Sequence, residues 1–70
     1  MTPGARRQYL SHELRMSLAL ADAHERHALD LADARYPGAH ALRRELQQLA
    51  SHHRRRAARL ADELAALETP

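Results

Sequence analysis

The chain has 70 residues, a formal net charge of +2, eleven Lys+Arg against nine Asp+Glu, six His and no Cys. That length supports one small domain, whose core contributes only ~3–5 kcal/mol, so such chains add disulfides, metals or partner subunits. Lack of Cys excludes a disulfide framework and a thiolate metal site. All eleven basic residues are Arg, which stays charged at every pH of interest, so the high pI is no proof of nucleic-acid binding.

The first segment, Met1-Thr2-Pro3-Gly4-Ala5-Arg6-Arg7, leads into polar residues and lacks the apolar core of a secretion signal. No apolar run approaches the ~18 residues that mark a membrane span. A cytoplasmic location is the expectation. Thr2-Pro3 reads as an N-cap with Pro in the first helical position.

Apolar content rests on Leu and Ala. Val, Ile, Phe and Trp are absent, and the β-branched residues are Thr2 and Thr69 alone. Strands draw on β-branched and aromatic side chains, whereas Ala, Leu, Arg, Glu and Gln favour helix. The composition therefore predicts an all-α protein. Abundant Ala and Arg without Lys also point to GC-rich coding.

A first helix is expected from about 5 to 35. Tyr36-Pro37-Gly38 then breaks it: Pro37 disfavours helical geometry at Tyr36 and removes a donor, and Gly38 relaxes the turn. A second helix is expected from about 39 to 67, ended by Thr69-Pro70. So short a connection favours an antiparallel helical hairpin over one long helix kinked at Pro37.

Projection at 3.6 residues per turn places Leu10, Leu14, Leu18, Ala21, Ala28, Leu31 and Ala32 on one stripe of the first helix. Tyr9, Met16 and Leu20 widen it on one side and Leu29 on the other. The second helix has a narrower stripe of Leu42, Leu46, Leu49, Ala57, Leu60, Leu64 and Leu67. An arc wider than the ~100° of a simple surface helix predicts that the first helix meets more than its own partner. The expected assembly is a two-fold homodimer closing a four-helix bundle, or docking on partner helices. Its predicted interface is Leu10, Leu14, Leu18, Leu20, Leu31, Leu46, Leu49 and Leu60.

His53 interrupts the second stripe between Leu49 and Ala57. Reversal about residue 37 puts His24 opposite position 50, about three residues from His53 in height. In a dimer these imidazoles would gather at mid-bundle. Imidazole is the commonest metal ligand, and bundle cores hold metals and cofactors. A zinc, copper or iron ion, or a haem, is one reading of His24 and His53, with Glu25 and His27 as further donors. The competing reading is a core His that fixes register. The spacing is not that of a standard motif, because His24 and His27 are i, i+3 where the zinc-protease helix needs i, i+4.

His52-His53-Arg54-Arg55-Arg56 with Arg59 is the strongest basic run. Arg54, Arg55 and Arg59 could meet phosphates of RNA or DNA. The chain has only Tyr9 and Tyr36 to stack on bases, and helix 1 carboxylates, Asp22 among them, are ready partners for these Arg. Catalysis is not expected. There is no Cys nucleophile and no Gly-rich phosphate loop, and Ser11, Ser17 and Ser51 sit in helices without an adjacent base. A non-catalytic interaction, regulatory or structural protein is the favoured reading.

Overall fold

In a computed structural model, which describes residues 2–68, the chain forms two helices, α1 (Pro3–Asp30) and α2 (Ala39–Glu68). They pack side by side as an antiparallel hairpin 53 Å long and 15 Å across. No strand occurs among the described residues. The expected stop at Thr69-Pro70 lies outside them. None of the described helices is long and apolar enough to cross a membrane.

Helix α1 starts as its first residues dictate. Thr2 is the N-cap, with extended backbone, and Pro3 occupies the first turn. The Thr2 hydroxyl accepts from the Ala5 N–H at 3.1 Å, and its carbonyl accepts from the Arg6 N–H at 2.9 Å. The first bond satisfies a backbone donor that a helix start leaves orphaned, and the second is the first bond of the helical ladder.

The other end departs from expectation. Helix α1 stops at Asp30, not near Arg35. The Leu31 N–H is shared between the His27 and Ala28 carbonyls at 3.2 Å each, Ala32 N–H donates to Leu29, and Ala34 N–H donates to Leu31. These i→i+3 bonds tighten the path into successive turns. Leu31 and Ala34 are left half-buried there, and Ala39, opening α2, is buried. The turns still advance beyond Asp30, so the chain reverses at Pro37-Gly38-Ala39.

Gly38 carries the reversal. Its φ is +85°, a left-handed conformation that costs other residues roughly 1–2 kcal/mol. Its carbonyl accepts from the Leu42 N–H at 2.9 Å, starting α2. A Cβ added here would meet nothing within 4 Å, so the penalty for any side chain is backbone strain alone. Gly38→Ala should destabilise the hairpin by about 1 kcal/mol, lowering the melting temperature by about 4–8 °C in a domain this size. Thermal denaturation followed by circular dichroism reads this directly.

The seam follows a 3-4 alternation. On α1 it runs Leu10, Leu14, Ser17, Ala21, His24, Ala28, Leu31. On α2 it runs Ala39, Arg43, Leu46, Ala50, His53, Ala57, Leu60, Leu64, Leu67. This is the heptad spacing of left-handed helix pairs. The innermost positions are mostly small, with Ala21 fully buried and Ser17, Ala28, Ala50 and Ala57 nearly so. Small side chains let the two backbones approach closely. The larger leucines then cap the layers toward the ends.

Candidate functional site

Mid-seam, the fold brings together the two histidines that the sequence singled out. The rings of His24 and His53 stack at 5.4 Å between centroids with 21° between planes. His52 meets His53 edge-on at 5.5 Å. The stack joins two rings that reversal about residue 37 sets about three residues apart in height. Both rings are half-buried, and the His53 Nδ1 is buried without a hydrogen-bond partner.

The stacked rings offer faces to each other, while their nitrogens lie in the ring planes. His27 is exposed, about 60° round α1 from His24. Glu25 turns to an arginine. Among the described residues no three His, Asp or Glu side chains gather as ligands for one ion. The hairpin by itself stacks two imidazoles, short of the donor set that a zinc, copper or iron ion would need.

Arg54 is at the centre of an ion cluster on one face of the hairpin. Its Nε and one terminal nitrogen each donate to Glu25 at 2.7 Å, a bidentate pair, and the same nitrogen donates to Asp22 at 3.1 Å. The hydrogen bonds from Arg54 hold the Glu25 carboxyl below its usual range, and those carboxylates hold the Arg54 proton more tightly still. On the opposite face, Arg56 donates to Glu13 at 3.1 Å, and Arg6 lies 3.6 Å from Glu63. All these groups are substantially solvated, so screening makes each pair worth little. Arg54→Ala should therefore lower the melting temperature only slightly, and less again in 1 M salt, where the Debye length falls to ~3 Å. A depressed carboxyl stabilises the fold above its unfolded value and loses that effect as pH falls through the folded one. The parent's advantage over Arg54→Ala should thus fade below pH 4.5.

Of the three arginines predicted to meet nucleic acid, Arg54 is engaged by two carboxylates, and Arg55 and Arg59 are exposed. Of the predicted interface leucines, Leu10, Leu46 and Leu60 are buried within the hairpin, and Leu14 and Leu31 are half-buried there. Leu18, Leu20 and Leu49 remain exposed. His12 and His40 are exposed.

Helix α1 carries two apolar rows. Tyr9, Met16, Leu20 and Ala23 each precede a seam residue (Leu10, Ser17, Ala21, His24) by one position, and so lie about 100° round the helix from the seam. They too follow a 3-4 heptad spacing, interrupted by Glu13. Tyr9 is 51% exposed, Met16 45% and Leu20 39%. Leu49, 45% exposed, joins them from α2. It lies seven residues before Arg56, whose guanidinium reaches Glu13 within the same row. Leu18 and Leu29 are exposed on the other face, beside the Arg54 cluster. An open groove there is lined by Glu25, Ala28, Leu29, Arg43 and Gln47.

The sequence matches no protein-family model, and it has no significant match among curated proteins or solved structures.

Proposed function

We propose that this chain is a non-catalytic interaction protein whose hairpin associates through the outer row of α1, with a second copy as its first partner. The observation that carries this reading is the alignment of Tyr9, Met16 and Leu20, with Leu49 beside them, on one exposed face. Single exposed apolar residues are ordinary. A row of them at heptad spacing is what a helix-packing face requires.

The angle supports a bundle in particular. A helix at the corner of a four-helix bundle touches two neighbours about 90° apart, and the two rows of α1 are separated by about one residue's turn of 100°. Helix α2 has a single row, most of it already used against α1. A chain of this size also gains from association, since its own core is slight.

The nucleic-acid reading is weaker. Arg54, the centre of the basic run, is neutralised within the chain. The metal reading lacks a third donor among the described residues. Size-exclusion chromatography with light scattering tests the proposal. The expected mass is about twice the 7.9 kDa of the chain at tens of micromolar. A well-folded monomer at that concentration would overturn it.

A further inference from the structure

We propose that His24 and His53, with His52 at their edge, form a proton-sensitive latch in the seam: neutral, the His24 and His53 rings stack between the helices, and proton uptake between pH 7 and 5 drives the helices apart there. The inference concerns the hairpin itself and does not depend on self-association.

Its basis is the surroundings of His53. From α1, His53 faces the ring of His24. From α2 it is flanked by His52 and by Arg56. The nearby carboxylates are committed elsewhere. Both Glu25 oxygens and Asp22 are held by Arg54, and Glu13 is held by Arg56. An imidazolium formed here therefore finds other imidazoles and a guanidinium, with no free carboxylate to balance it. The His53 Nδ1 is buried without a partner. A neutral ring tolerates a bare nitrogen there, whereas the protonated ring would bury an N–H without an acceptor.

Burial, and then the neighbouring His24, His52 and Arg56, push the proton affinity of His53 below that of an ordinary imidazole. The sign of the linkage follows. Below pH ~6.5 the unfolded chain takes up a proton that folded His53 resists, so the unfolded state binds more protons and acid favours opening. The unfolding constant should rise by up to about tenfold per pH unit until folded His53 also titrates. That window lies above the carboxylate range, so the arginine ion pairs stay intact through it.

The test joins two measurements at fixed chain concentration. Melting curves from pH 7.5 to 5.0 should show the parent losing stability below about pH 6.5 and His53→Leu losing much less. Proton NMR titration of the imidazole rings in the parent should show His53 titrating below the ordinary imidazole value of ~6.5. The latch is overturned if His53 titrates at or above that value, or if His53→Leu follows the parent's pH profile. Should His53→Leu fail to fold, the NMR titration of the parent decides alone.

Discussion

Ala21→Leu should remove a large part of the hairpin's stability. Ala21 has no exposed surface at all. The small seam residues of α2, Ala50 and Ala57, are nearly fully buried as well. Three added carbons in such a layer must push the helices apart or force neighbours off their rotamers, which costs typically ~1–3 kcal/mol. Against the ~3–5 kcal/mol a core of this size supplies, that is between about a fifth and all of it. Urea or thermal unfolding should show a lower midpoint, or a chain already partly unfolded at 25 °C. Ala19→Leu, on the exposed side of the same helix, is the control and should stay within about 0.5 kcal/mol of the parent. Equal effects at the two sites would show that the seam is looser than its alanines imply.

That contrast marks how far the sequence could be read. The helices were legible because nothing in the chain favours a strand, and the reversal was legible because Pro37 and Gly38 stand together between two apolar patterns. The meeting of His24 with His53 followed from the reversal, which sets them about three residues apart in height, within reach of their side chains. The facing of α1 was not legible. Leu10, Leu14 and Leu18 recur every four residues, and that row drifts round the helix by 40° per step at 100° per residue. The row that stays on α2 alternates three and four, and passes through Ser17 and Ala21. Hydrophobicity favours Leu18 over Ser17, yet close backbone approach favours the smaller side chain. Pattern reading weighs only the first. The consequence is that Leu18 and Leu20 lie outside the seam, and the interface expected of eight leucines is divided between the hairpin's interior and its outer faces.

The outer face yields the second large effect. The double substitution Met16→Glu, Leu20→Glu should leave the hairpin folded and abolish its assembly. Both side chains are partly exposed in the hairpin, so neither is needed to hold α1 against α2, and Glu is a good helix former. In a two-fold dimer each copy would bury what remains of both side chains, at about 1 kcal/mol apiece. Four such contacts are worth about 4 kcal/mol, or roughly a thousandfold in Kd. The new carboxylates would also be set near one another across the two-fold. Light scattering should then give the monomer mass at concentrations where the parent is dimeric, with circular dichroism still helical. The matching double substitution on the other face, Leu18→Glu, Leu29→Glu, should leave assembly unchanged, since those residues lie beside the Arg54 cluster and not in the outer row. If the second pair dissociates the assembly and the first does not, the partner sits on the charged face, and the outer row of α1 has another purpose.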